Sequence, residues 1–252
     1  MTYPIPLDTM LIELADFCNL QCIMCDMSEE GRRRHGHPNP EKPFHTTQRR
    51  FLPFESFKSI IDSINQSDIR IGVLSLFWLG EPLLNPEFNK MLTYLNRNMK
   101  NIGGWLLHTN GQILPEETLK LIFESDGNNT LHFSVDAASP ELYAKIRKGG
   151  NYEKLVANIR KTLDYRAKIP RPNLKLMLQF IVMEENKHEA KKFAEFWGKE
   201  FEKRGLRYTI ARYYSQHWPN TIFFRQEIAV TKLQEKANKL HEVVCDSLGI
   251  PK

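Results

Sequence analysis

The residues best able to do chemistry stand together near the start of the chain: Cys18, Cys22 and Cys25, in the stretch "CNLQCIMC". Their C-x3-C-x2-C spacing puts three thiols in one loop, and the fourth cysteine, Cys245, lies far along the chain. Three thiols clustered at one end of a large chain fit metal binding better than disulfide stapling. The two main users of such thiols are zinc and iron-sulfur clusters. A closed zinc site needs four donors, and no second cysteine pair is present; His35, His37 or His45 could complete the set and give a non-catalytic zinc-binding interaction module. A cubane cluster on three cysteines keeps one iron open, and an open position is where a metal does chemistry.

Such a loop needs a frame to hold it. A chain of 252 residues is long enough for one large α/β domain, and 41% hydrophobic with 26% charged residues is an ordinary globular composition. The formal charge of +5 favours acidic or phosphorylated partners without requiring nucleic acid. No run approaches the roughly 18 apolar residues of a membrane span, and the first residues lack a signal-peptide pattern, so a cytoplasmic setting is expected.

Strand-like apolar runs alternate with helical patterns. "TMLIELADF" (9–17) leads into the cysteines; "IRIGVLSLFWLG" (69–80), "GGWLLHTNG" (103–111), "TLHFSVDAAS" (130–139), "NLKLMLQFIVM" (173–183) and "LRYTIARYY" (206–214) follow. Between them, residues 53–64, 85–98, 115–125, 151–168 and 186–205 space their apolar side chains as helices do. Strands joined through helices run parallel, which predicts a parallel sheet, open or curved into a barrel. Residues 29–53 form a basic, proline-containing insertion too rich in turn formers for a helix, and 230–252 reads as a final C-terminal helix. Arg32, Arg33, Arg34, Arg49 and Arg50 could receive an acidic peptide, a phosphorylated metabolite or nucleic acid, although no RNA-binding motif accompanies them. The aromatic run 212–224 either lines a pocket or packs the last helix.

The cysteine loop resembles the signature of radical S-adenosylmethionine (SAM) enzymes, in which SAM chelates the open iron. The residue before the third cysteine, often aromatic in that family, is Met24 here, as the SPASM/twitch-type branch tolerates. "LGEPLLNP" (79–86) is similar to the family's GGEP loop, which implies SAM amino-group binding by Gly80, Glu81 and Pro82. "HTNG" (108–111), containing Asn110, matches the end of the third strand. "FSVDAASPELYAKIRKGGNYEKLVANI" (133–159) resembles the fourth-strand region, which implies that Ser134 bonds the SAM carboxylate or ribose and that Arg147 pairs with the carboxylate. Asp136 is either a SAM ligand or a turn cap, and Gln179 would point toward cofactor or substrate.

The resemblance covers roughly residues 8–212. It implies a partial (β/α)6 barrel spanning 1–229, with Cys18, Cys22 and Cys25 on a [4Fe-4S] cluster that reductively cleaves SAM. The resulting 5'-deoxyadenosyl radical abstracts hydrogen from a substrate C–H bond, for oxidation or modification of a peptide or protein side chain. The alternative is a dehydrogenase or epimerase acting on a sugar or other small metabolite. A flavodoxin- or ferredoxin-type electron donor is implied as partner. Cys245 fits a helix-packed thiol better than a ligand of an auxiliary cluster.

Overall fold

The computed structural model describes residues 5–43, 49–213, 219–228 and 232–251. Its centre is a seven-stranded sheet in the order β1-β3-β4-β5-β7-β9-β8, every neighbouring pair parallel. The strands are β1 (Ile5–Leu11), β3 (Ile69–Ser75), β4 (Trp105–Thr109), β5 (Thr130–Ser134), β7 (Lys175–Val182), β8 (Thr209–Ala211) and β9 (Asn220–Gln226). Two short strands, β2 (Gln21–Cys22) and β6 (Arg147–Lys148), pair antiparallel outside the sheet and set Cys22 opposite Arg147.

Successive strand residues point to opposite faces, so register decides what each face carries. Trp105, Leu107, Leu131, Phe133, Leu176, Leu178, Phe180, Ile222 and Phe224 share one face, each 0 or 1% exposed. Their alternates His108, His132, Ser134, Gln179, Phe223 and Arg225 share the other.

The apolar face is covered by helices whose sequence spacing supplies a matching stripe. These include α2 (Phe54–Gln66), burying Phe57, Ile61 and Ile64, and α3 (Phe88–Arg97), burying Phe88, Met91, Leu92 and Leu95. They continue with α4 (Glu116–Glu124), α5 (Pro140–Ile146), α6 (Tyr152–Lys168) and α7 (Ala190–Glu202). Phe193 of α7 packs against Phe180 and Phe224 with ring centroids 4.9 and 5.9 Å away. The last helix, α8 (Lys232–Ser247), lies on β9, where His241 Nε2 meets Phe224 O at 2.9 Å.

Three sequence expectations change. The insertion 29–53 opens with a helix, α1 (Glu29–Arg34): Ser28 caps it by accepting the Gly31 N–H, and its acidic first turn and basic last turn suit the helix dipole. The turn formers act only from Gly36 onward. The run 206–214 yields only the three-residue edge strand β8, while the end of the aromatic run forms β9, inserted between β7 and β8. Part of that run, residues 214–218, lies outside the described residues. The first strand begins at Ile5 and ends at Leu11, because beyond Ile12 the backbone turns to residues 50–52: Leu52 N donates to Leu14 O and Asp16 N to Arg50 O.

Candidate active site

The cysteine loop leaves β1 at the carboxyl edge of the sheet, and other carboxyl-end loops close around it. Gly80 lies so near the loop's entry that a Cβ there would meet Ala15 O at 1.8 Å, and Glu81 N donates to Phe17 O at 2.9 Å. Only glycine permits that approach. Glu13 Oε1 accepts from the Leu79 and Gly80 N–H groups at 2.9 and 3.0 Å, and Asn85 Nδ2 donates to Leu14 O at 2.8 Å. On the far side of the loop, Ser28 Oγ sits 2.7 and 2.9 Å from the carbonyl oxygens of Cys22 and Cys25.

Each thiol has its own setting. Cys18 Sγ receives the Leu20 N–H at 3.4 Å and Asn110 Nδ2 at 3.5 Å. Cys22 Sγ receives Arg147 Nη1 at 3.5 Å. Burial pushes the Cys18 thiol up to about 12, with Glu81 adding to the shift, and burial pushes Cys22 up to about 11 against the pull of Arg147. Cys25 is raised by burial too. Bare, these groups are thiols; holding them as thiolates requires added positive charge, as a metal centre supplies.

One set of three potential ligand atoms among the described residues closes to within 4.8 Å, and it is Asp26, His35 and His37, not the cysteines. Thiolates on one zinc ion would stand roughly 3.8 Å apart, given Zn–S bonds near 2.3 Å in a tetrahedron. The sulfurs are thus spread more widely than a mononuclear donor set, as suits a multi-iron cluster. His35 Nδ1 and His37 Nε2 both face Asp26 Oδ1, at 2.7 and 3.2 Å, so these two imidazoles gather at that carboxylate rather than at a cysteine sulfur. His45 lies outside the described residues.

Glu81 is 3% exposed, and its carboxylate is committed to the turn after β4. It accepts from Thr109 Oγ1 at 2.7 Å, Asn110 N at 2.8 Å and Leu83 N at 3.2 Å. Desolvation lifts it to about 7 in spite of those donors. Asn110, so anchored, also donates to Asn19 Oδ1 at 2.8 Å. Pro82 opens the 3-10 turn Pro82–Leu84.

Asp136 is fully buried in the left-handed region at φ 62, the only non-glycine residue there among those described. It accepts from Arg147 Nε at 2.8 Å and from Ile181 N at 2.6 Å, and Arg147 Nη2 bonds the same carboxylate. Asn186 Nδ2 locks the strained backbone by donating to Asp136 O at 2.9 Å.

The structure thus gathers Cys18, Cys22, Cys25, Glu81, Asn110, Asp136 and Arg147 into one frame with Gly80 and Pro82. Met24 is buried in the core at 9% exposure. Ser134 Oγ stands 2.5 Å from His108 Nε2, and Gln179 Oε1 meets Arg225 Nη1 at 3.5 Å. Sequence reading missed Glu13, Asn85, Asn186, His108, His132 and Arg225. His108 and His132 had a signal: each is an imidazole inside a short strand with an apolar centre. The basic run is largely neutralised internally. Arg34 forks between Glu185 and Glu227, Arg33 pairs with Glu29, Arg50 with Asp16, and Arg32 holds the Asp26 and Pro40 carbonyls.

The sequence profile of the radical SAM superfamily matches residues 12–197, from the end of β1 into α7. The chain belongs to the radical SAM superfamily. The cofactors of this superfamily are SAM and a [4Fe-4S] cluster, and three widely spread thiols, Cys22 buried and Cys18 and Cys25 partly so, suit the cluster. The probable GTP 3',8-cyclase of Methanocaldococcus jannaschii is 29% identical over 155 residues, 61% of this chain and 44% of its own length. The GTP 3',8-cyclase of Desulforamulus reducens is 28% identical over 153 residues, 61% of this chain and 42% of its own. The chain therefore spans less than half the length of these curated relatives.

Among solved structures, Streptococcus suis SuiB bound to its precursor peptide SuiA superposes with a TM-score of 0.61 at 14% identity, over 98% of this chain and 47% of that one. Native anSMEcpe with bound AdoMet gives 0.57 at 17% identity, over 90% and 52%. The shared feature is the fold: a parallel α/β sheet forming a partial radical SAM barrel. No helix among the described residues is long and apolar enough to cross a membrane.

Proposed function

We propose that this chain is the catalytic core of a radical SAM enzyme in which Cys18, Cys22 and Cys25 hold the [4Fe-4S] cluster. When bound and reduced, for instance by a flavodoxin- or ferredoxin-type donor, that cluster supplies the electron that cleaves SAM to methionine and a hydrogen-abstracting 5'-deoxyadenosyl radical. The observation that carries the reading is the frame around the thiols: Asn110 at Cys18, Arg147 at Cys22, and the Gly80 backbone pressed against the loop that enters the motif. With the Glu81 carboxylate committed to Thr109 and Asn110, the loop's backbone carbonyls are the groups left to accept the SAM ammonium. Arg147 acts on Asp136 and Cys22, orienting the loop and offsetting thiolate charge, rather than chiefly on the SAM carboxylate.

The substrate lies over the polar face of the sheet, enclosed there from quenching by solvent. Modification of a peptide or protein side chain is the reading supported by the precursor-peptide complex of the fold relative SuiB. A nucleotide rearrangement is the second reading, favoured by the sequence relatives named GTP 3',8-cyclase.

Anaerobic reconstitution with iron and sulfide, followed by SAM and dithionite, tests the common core. About four irons per chain and release of 5'-deoxyadenosine are expected, both lost in Cys18→Ala, Cys22→Ala and Cys25→Ala. A protein that takes up zinc, forms no cluster and leaves SAM intact defeats the proposal. Supplying GTP in the same assay separates the two substrate readings by whether the nucleotide is consumed.

A further inference from the structure

The polar face of the sheet carries groups that the cluster frame does not use. Register sets His108 of β4 beside His132 of β5, and Gln179 of β7 between Ser134 and Phe223, with Arg225 two residues further along β9. The two imidazoles stack with centroids 4.0 Å apart and planes 9° from parallel. Phe77 lies edge-on to His108 at 4.7 Å.

This wall is not closed upon itself. His132 Nε2 and Gln179 Nε2 find no hydrogen-bond partner, although the residues are only 5% and 1% exposed. Arg225 is half-buried and, among the described residues, meets Gln179 Oε1 but no carboxylate. The nearby Asp136 is already taken by Arg147 and the Ile181 N–H. Burial and the neighbouring guanidiniums keep both histidines neutral, with His132 pushed down to about 3, so the wall's charge is the arginine's. Buried polar groups in native proteins find partners, and a guanidinium with no carboxylate in hydrogen-bond reach among the described residues, beside two unpartnered N atoms, is the inverse image of an anionic ligand.

We propose that this wall binds a substrate bearing an anionic oxygen group, carboxylate or phosphate, gripped by the Arg225 fork with Gln179 Nε2 and the N–H tautomer of His132 as neighbouring donors. The assignment rests on the polar face being the substrate side of the radical reaction. Arginine suits the role because its planar fork matches both anions bidentately.

The test uses the full chain with its cluster reconstituted, titrated calorimetrically with inorganic phosphate and separately with acetate, each with and without saturating SAM. At least one anion is expected to bind a single saturable site that SAM does not displace. Arg225→Met should weaken it at least tenfold, Gln179→Leu to a lesser degree, and Arg225→Lys should restore part of the loss. Cluster absorbance and thermal midpoint establish that each variant is folded. Absence of saturable binding by both anions, or equal binding by Arg225→Met, overturns the assignment. Displacement by SAM also overturns it, by giving Arg225 to the cofactor's own carboxylate. Formation of 5'-deoxyadenosine is scored separately: its absence alongside intact anion binding sinks the proposed reaction, and its presence without anion binding sinks the substrate assignment alone.

Discussion

Burial acts in opposite senses on the two kinds of titrating residue at the centre of this protein. It holds the three cysteines protonated until a metal centre offsets their charge, and it holds His108 and His132 neutral. The histidines carry a stability consequence. His132 titrates at about 3 when folded and near 6.5 when unfolded, so between those values the unfolded chain binds more protons. Stability from this residue is therefore full above about pH 6.5 and lost as pH falls toward 3. Urea midpoints measured at pH 7.5 and 5.5 should drop on acidification, and His132→Phe should flatten that drop. A midpoint drop as steep in the variant as in the wild type would count against the burial of a neutral ring.

Elements differ in how openly their sequence declares them. The helices α2, α3 and α6 were legible because their stripes are local, and the thiol motif was legible for the same reason. The strand β9 was obscured because "NTIFFRQ" follows a mixed aromatic and polar run, and its place between β7 and β8 depends on pairing with residues about 44 positions earlier. Glu13 and Arg225 were hidden likewise: which face a strand residue takes is settled by non-local register. The terminal helix α8 gives an element-scale prediction. Cys245 is fully buried, and Arg212 beneath it bonds Asp246 at 2.7 Å and also the Ile250 carbonyl. Cys245→Ser should leave iron content unchanged and lower the unfolding free energy by about 1–3 kcal/mol, the usual penalty for an unsatisfied buried hydroxyl. Loss of iron from that variant would instead make Cys245 a ligand.

At the scale of the whole molecule, the site is an edge assembly. Segments following β1, β3, β4, β5 and β7 converge on it, and none of them forms it alone. A ligand that binds only the folded arrangement stabilises all of it by mass action. Cluster loading should raise the thermal midpoint of the chain, and SAM should raise it again. Hydrogen exchange should slow together at residues 18–25, 80–82, 109–112 and 147–150. Slowing confined to 18–25 would mean that the motif binds its metal without engaging the frame.

The contact between Arg147 and Cys22 joins positions 125 residues apart. On a ribosome the three thiols emerge long before the arginine that braces one of them, and before the strands that deliver Glu81 and Asn110. A nascent chain therefore offers metals a loose, open loop with none of the discrimination of the finished edge. Whatever bracing Arg147 gives Cys22 is available only once residue 147 has been made and the edge has folded.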